Sequence, residues 1–144
     1  MLISEVLRDK GREVIRVRTS DKVSAAVQKL AERRIGAVIV EDRYYKPVGI
    51  FSERDLVKAL ARSGPRVLDY EVRELMTSPF MSCRPEDRID AVLGVMTMQR
   101  IRHFPVMENG ELVGLVSIGD LVKHRLDEKE LEANVLLEIT RMRA

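Results

Sequence analysis

Two serine–aspartate pairs at matched spacing hold the chemistry this chain could do. Ser52 and Asp55 lie in V-G-I-F-S-E-R-D-L-V-K (48–58), and Ser117 and Asp120 lie in V-G-L-V-S-I-G-D-L-V-K (113–123). Seven of the eleven positions are identical, and the two phrases stand 65 residues apart. In each, a glycine (Gly49, Gly114) precedes the serine by three residues and the aspartate follows by three. The apolar run before the serine reads as a strand and the run after the aspartate as a helix, so each pair sits on a strand-to-helix corner. A helix N-terminus presents unpaired amides and the positive end of the helix dipole, which suits phosphate. A serine hydroxyl adds a donor there, and a nearby carboxylate can accept both hydroxyls of a ribose. The glycine would let a ligand approach the backbone closely. The same spacing has a second meaning: Ser-x-x-Asp ahead of an apolar run is a capping box, worth about 1 kcal/mol. Duplication copies caps as faithfully as it copies binding sites. The two readings are compatible, since a serine can cap an empty helix and turn toward a ligand.

Other chemistry finds little support. Two histidines (His103, His124) and one cysteine (Cys83) are too widely spaced for a structural zinc site. There is no Walker loop and no G-x-G-x-x-G fingerprint. Cys83 lies in an apolar stretch without a basic cluster and reads as a small core residue. Met76, Met81, Met96, Met98 and Met107 read as core filling. Arg33, Arg34 and Arg100 read as solvated helix ends favoured by the negative end of the dipole, with Arg34 or Arg100 within reach of a ligand phosphate. No general base, nucleophile or metal is assembled, so catalysis is not expected.

The elements that must position the two corners are themselves repeated. Residues 23–40 align with 89–106 without a gap, pairing Ala25 with Ala91, Arg34 with Arg100, Ile35 with Ile101 and Val40 with Val106. Further upstream, I-S-E-V-L-R (3–8) resembles V-R-E-L-M-T (72–77). A repeat of about half the chain settles the architecture before any single element does. In the first copy, Val23, Ala26, Val27, Leu30 and Ala31 recur at helical spacing over 21–34, with Thr19 or Ser20 as cap. Residues 37–40 and 48–51 read as strands joined by a polar turn, and Ser52 opens a helix that ends near Ser63-Gly64-Pro65. In the second copy, Pro85 suits the first turn of a helix carrying Ile89, Val92, Leu93 and Met96. A hairpin follows over 103–116 with Asn109-Gly110 at its turn, and Ser117 opens the next helix. Residues 14–17 and 80–83 supply one further short strand each, so each half reads β-α-β-β-α. Residues 64–70 read as a linker, and 127–143 as a charged helix bearing Leu131, Val135, Leu136 and Ile139.

Composition fits this plan. The 144 residues are 45% hydrophobic, with no Trp and only three Phe, so the core must be aliphatic. The net charge of +2 comes from 25 basic and 23 acidic residues that are interspersed, which argues against a nucleic-acid arm. Neither a signal peptide nor an apolar run of transmembrane length is present, so the cytoplasm is expected and no membrane partner is. A single cysteine excludes an intramolecular disulfide framework.

With Gly49, Ser52, Asp55, Gly114, Ser117, Asp120 and the run I-R-H-F-P-V (101–106) in view, the chain resembles a tandem cystathionine β-synthase (CBS) domain pair. The likeness covers roughly residues 1–126. It implies an α/β fold of two β-α-β-β-α repeats, 1–65 and 66–126, packed sheet to sheet about a pseudo-twofold axis, with 127–144 as a C-terminal helix. It also implies a regulatory module whose clefts between the repeats bind AMP, ADP, ATP, NAD or S-adenosylmethionine. Carried over residue by residue, it implies Asp55 and Asp120 for ribose, and Ser52 and Ser117 for the phosphate side. Ser82 with Pro85 are a fair match to a family strand motif, Arg16 with Thr19 a poor one. Pro105 matches the family's residue beside adenine, where the first copy has Ile39. Arg54 could reach a phosphate where Gly119 leaves room instead, and Arg102 and His103 border the cleft. The implied site further takes in Gly36, Ala37, Phe51, Phe104 and Val116. The two clefts are therefore expected to be unequal. The resemblance also implies disk-shaped homodimers, with the apolar stripes after Ser52 and Ser117 as contacts, and a separate effector protein that reads the ligand state. The other reading is a structural or dimerisation adaptor whose corners are caps only.

Overall fold

The computed structural model describes residues 1–143. In chain order its elements are helix α1 (Ile3–Lys10), strand β1 (Arg16–Arg18), α2 (Val23–Arg33), β2 (Ala37–Glu41), β3 (Pro47–Ser52), α3 (Glu53–Ser63), two 3-10 turns (Pro65–Asp69 and Val72–Glu74), α4 (Ile89–Gln99), β4 (His103–Glu108), β5 (Glu111–Ser117) and α5 (Ile118–Arg143). This mixture of helix and strand forms two small sheets, one ordered β1-β2-β3 and one a β4-β5 hairpin.

The apolar periodicity explains these elements. Val23, Ala26 and Leu30 are the buried face of α2, and Ile89, Val92 and Met96 are that of α4. Both helices end on an arginine in the left-handed conformation, Arg34 (φ 53) and Arg100 (φ 56). Strand β2 is central, parallel to β1 and antiparallel to β3, and is buried along its whole length. That burial includes Glu41, 4% exposed, whose carboxylate accepts a hydrogen bond from Arg16 Nη1 at 3.1 Å. In the second copy the expected strand over 80–83 is reduced to one parallel bridge, Cys83 to Val106. In the first copy the Ile39 amide donates to the Ile15 carbonyl at 3.0 Å. The matching residue in the second copy is Pro105, which has no N–H to donate, so the ladder stops. Met81 is 43% exposed and Met98 is 83% exposed on the outer face of α4, so neither fills the core as Met96 does.

The contacts divide the chain differently from the expected boundary at 65/66. One unit is Glu13–Met81; the other joins Met1–Arg12 to everything from Ser82 onward. In the second unit Ile3, Val6 and Leu7 of α1 are fully buried with Ile89, Val92, Met96, Phe104 and Val116. The Ile3 amide donates to the Asp87 carbonyl at 2.9 Å, and the Ile89 amide donates to the Met1 carbonyl at 3.0 Å. In the first unit residues 70–76 repeat this arrangement: the Val72 amide donates to the Asp21 carbonyl and the Val23 amide to the Tyr70 carbonyl, both at 2.8 Å. Each leader segment thus satisfies the open amides at the start of the opposite copy's helix. That is why neither Thr19 nor Ser20 caps α2, whose N-cap is Lys22 without a side-chain bond. Likewise α4 starts at Ile89 rather than at Pro85, which is buried in the preceding turn with its carbonyl accepting from the Ser4 amide at 2.8 Å. Residues 64–70, expected as a linker, form a packed 3-10 turn with Val67 fully buried. The C-terminal segment does not begin a separate helix at residue 127; it continues α5 unbroken from Ile118. Among the described residues no helix is long and apolar enough to cross a membrane.

Candidate functional site

Both corners are formed, and both are capping boxes. At the first, the Ser52 amide donates to Asp55 Oδ2 at 2.9 Å and Ser52 Oγ accepts from the Asp55 amide at 3.4 Å. At the second, the Ser117 amide donates to Asp120 Oδ2 at 2.8 Å and Ser117 Oγ accepts from the Asp120 amide at 3.1 Å. Each corner is also tied to the approach to its sheet's preceding strand: the Glu53 amide donates to the Gly36 carbonyl at 3.0 Å, and the Ile118 amide to the Arg102 carbonyl at 2.8 Å. Strand register sets Ala37 opposite Ser52 and His103 opposite Ser117. Gly36, Ala37, Ser52 and Asp55 are therefore drawn together in one unit, and Arg102, His103, Ser117 and Asp120 in the other. Arg54 and Gly119 occupy the first turn of the two helices and are exposed. A Cβ added at Gly119 would lie 3.6 Å from Ser117 Oγ, an ordinary contact, so the space there is real.

The glycines have a different use from the one expected. A Cβ on Gly49 would lie 2.6 Å from Met76 Sδ, and one on Gly114 would lie 2.6 Å from Leu7 Cδ2. The close approach to each strand is made by a leader side chain. Phe51, Phe104 and Val116 likewise turn their side chains into the two cores. They position the corners without facing them. Arg16 and Thr19 lie at either end of β1; Arg16 pairs with Glu41, and the Thr19 amide donates to the Glu41 carbonyl at 3.0 Å. Pro105 is buried in β4 opposite Leu115, with its carbonyl accepting from the Cys83 amide at 3.0 Å. Ser82 lines a cavity of about 400 Å³ at the turn end of the β4–β5 hairpin, with Arg84, Glu86, Met107, Glu108, Asn109 and Gly110. None of Ser117, Asp120, His103 and Pro105 lines it. In the first unit Asp55 does line a cavity, of about 350 Å³, whose wall includes Lys58, Arg62, Tyr70 and Glu74.

Two residues that hold the corners are absent from the sequence-based site. Thr77 Oγ1 donates to Asp55 Oδ1 at 3.1 Å, and the Thr77 amide donates to the Ile50 carbonyl at 2.8 Å. In the second unit Lys10 Nζ donates to Asp120 Oδ2 at 2.5 Å and to the Leu115 carbonyl at 2.8 Å. Burial pushes the Asp120 carboxyl up, but the hydrogen bonds from Lys10 and the Ser117 amide, with the Lys10 charge, outweigh it and hold it below the ordinary carboxylate value. The Cys83 thiol is pushed up to about 12 by burial and by the Asp87 charge, which suits a core residue. The leader resemblance (3–8 with 72–77) reaches Thr77, which it pairs with Arg8, but stops short of Lys10, which no signal in the sequence marks.

Two copies of one α/β repeat, each with a capped Ser-x-x-Asp corner, define a tandem domain pair. The CBS domain family model matches residues 3–62 and 72–127, and the chain belongs to that family. The mitochondrial CBS domain-containing protein CBSX3 of Arabidopsis thaliana is 30% identical over 150 residues, covering 92% of this chain and 71% of its own length. The chain spans 61% of an uncharacterised relative from Methanopyrus kandleri and 35% of one from Thermofilum pendens. The crystal structure of a CBS-domain containing protein from Agrobacterium tumefaciens matches with a TM-score of 0.84 at 41% identity, covering 86% of this chain and 92% of that one. A CBS domain protein from Pyrobaculum aerophilum, solved in complex with AMP, matches with a TM-score of 0.77 at 29% identity over 92% of this chain and 99% of that one.

Proposed function

We propose that this chain is a non-catalytic sensor. Its corners bind an adenosine-containing ligand (AMP, ADP, ATP, NAD or S-adenosylmethionine), and a separate effector protein reads whether the ligand is present. The observation that carries this reading is the half-buried carboxylate held at the first turn of a helix in both units, beside a serine hydroxyl at the helix N-terminus. That places a diol acceptor and a phosphate-binding helix end within one turn of each other. The similarity to a structure complexed with AMP supports the ligand class. Ligand binding stabilises by mass action, so a ligand at a hundredfold its Kd adds about 2.7 kcal/mol, which is several degrees of melting temperature for a domain of this size. Thermal melts with a panel of these ligands are expected to show such a shift in the wild type and its loss in Asp55→Asn or Asp120→Asn. No shift with any ligand would sink the sensor reading.

The adaptor reading draws support from the caps themselves. Asp55 has intramolecular donors on both oxygens, Ser52 on Oδ2 and Thr77 on Oδ1, so the first corner is satisfied without a ligand. On that reading the aspartate variants melt lower but every ligand leaves every variant unmoved.

The sensor is further read as a homodimer. Beyond Leu121 and His124, its buried residues, α5 leaves Leu131, Val135, Ile139 and Met142 exposed on the same side. A second copy of this chain, lying antiparallel on that stripe, fits its charge. Residues 127–132 hold four acidic side chains and one lysine, while Arg141 and Arg143 lie at the other end. Antiparallel pairing sets Arg141 of one helix near Glu132 of the other, whereas parallel pairing sets acid against acid.

A further inference from the structure

The two corners offer the same pair of acceptors and fill them with different chemistry. Ile50 and Leu115 are matched positions, as are Asp55 and Asp120. In the first unit the carbonyl and the carboxylate both accept from Thr77, through its amide at 2.8 Å and its hydroxyl at 3.1 Å. Both donors are neutral. In the second unit both acceptors take Lys10 Nζ, at 2.8 Å and 2.5 Å. The ion pair is only partly buried, with the Lys10 side chain 35% exposed and that of Asp120 27%, so a ligand can reach it.

We propose that Lys10 is a specificity-determining residue of the second corner, making it select adenosine ligands that carry phosphate over uncharged ones. This rests on the reading that Asp120 accepts the ribose hydroxyls. Lys10 Nζ and the Ser117 amide both donate to Asp120 Oδ2, so a diol that takes this oxygen must displace the ammonium from it. An uncharged nucleoside offers a neutral donor in exchange for a charge-assisted bond and leaves the ammonium without its carboxylate. A nucleotide offers its phosphate to the displaced ammonium, and the compact charge on a flexible four-carbon stem can follow it. At the first corner the displaced group is a hydroxyl, which water satisfies, so no such selection operates there.

The test is calorimetric titration of the whole chain with AMP, adenosine and 5′-methylthioadenosine. It compares wild type, Lys10→Met, Lys10→Gln and Thr77→Val. A bond to a charged group is worth enough for the ratio of adenosine Kd to AMP Kd at the second corner to fall about tenfold or more in both lysine variants. Adenosine should tighten and AMP weaken. Thr77→Val should leave that ratio where it was. Circular dichroism melts check that each variant is folded; Lys10→Gln keeps a donor and guards against a packing effect of methionine. If AMP binds and the ratio does not change in either lysine variant, Lys10 is not the selector and the inference is overturned while the ligand reading stands. If folded wild type and lysine variants bind none of the three, the ligand reading fails and takes this inference with it.

Discussion

Asp120 does two jobs in one carboxylate: it caps α5 through the Ser117 amide and it holds Lys10. Its folded-state pKa lies below the unfolded value of 3.8. A depressed carboxylate contributes stability above the unfolded pKa and loses it as pH falls through the folded one. Asp120→Asn is therefore expected to lower the urea midpoint at pH 7, by the equivalent of about 1–2 kcal/mol for a charge-assisted bond made neutral. The two proteins should converge as pH drops below 3.8. A gap that persists in acid would mean that the carboxylate matters for shape and its charge does not. The serine–aspartate pairs themselves were legible from spacing alone, because capping is local and runs within four residues. Lys10 was not, because nothing in a lysine 110 residues away from Asp120 marks it as a partner.

At the scale of elements, the two glycines fix how closely a leader can lie on a strand. Leu7 presses on Gly114 as Met76 presses on Gly49. Gly114→Ala places a methyl 2.6 Å from Leu7 Cδ2, so the buried Leu7 side chain must shift within its cluster. Overpacking of this kind costs about 1–3 kcal/mol. Leu7→Ala alone opens a cavity and also destabilises, by about 2–5 kcal/mol. The double variant Leu7→Ala/Gly114→Ala should be more stable than the sum of the two losses, because each change makes room for the other. Additive losses in chemical denaturation would show that the contact is not the reason for the glycine. Strand and helix positions were largely legible from periodicity. The strand over 80–83 was not, because its loss depends on a missing N–H at Pro105, on the neighbouring strand.

At the scale of the whole molecule, the chain exchanges leaders between copies, and it ends in a helix of 26 residues of which only Leu121 and His124 are buried. The apolar stripe from Leu131 to Met142 runs about 16 Å at 1.5 Å per residue. One helix face of that length buries less area than a standard interface, so a concentration-dependent monomer–dimer equilibrium is expected. Sedimentation of the wild type should show it, and Val135→Glu with Ile139→Glu should abolish it without lowering the melting temperature of the dilute, monomeric protein, since both side chains are exposed. Dimerisation that survives the double change would move the interface off the stripe from Leu131 to Met142, with exposed Val57 on α3, or exposed Val122 and Leu126 near the start of α5, as the next faces to examine.

Alone, the sequence determined the repeat, the two corners, most helices and strands, and the family, since each is written in short-range spacing or in identities between the copies. The tertiary structure decided which leader lies on which copy, why the glycines are required, and what holds each aspartate. Those depend on contacts between segments far apart in the chain, and a duplicated sequence offers each leader two nearly equivalent strands to lie on. It also separated two corners that share a motif: Thr77 holds one with neutral donors, and Lys10 holds the other with a charge.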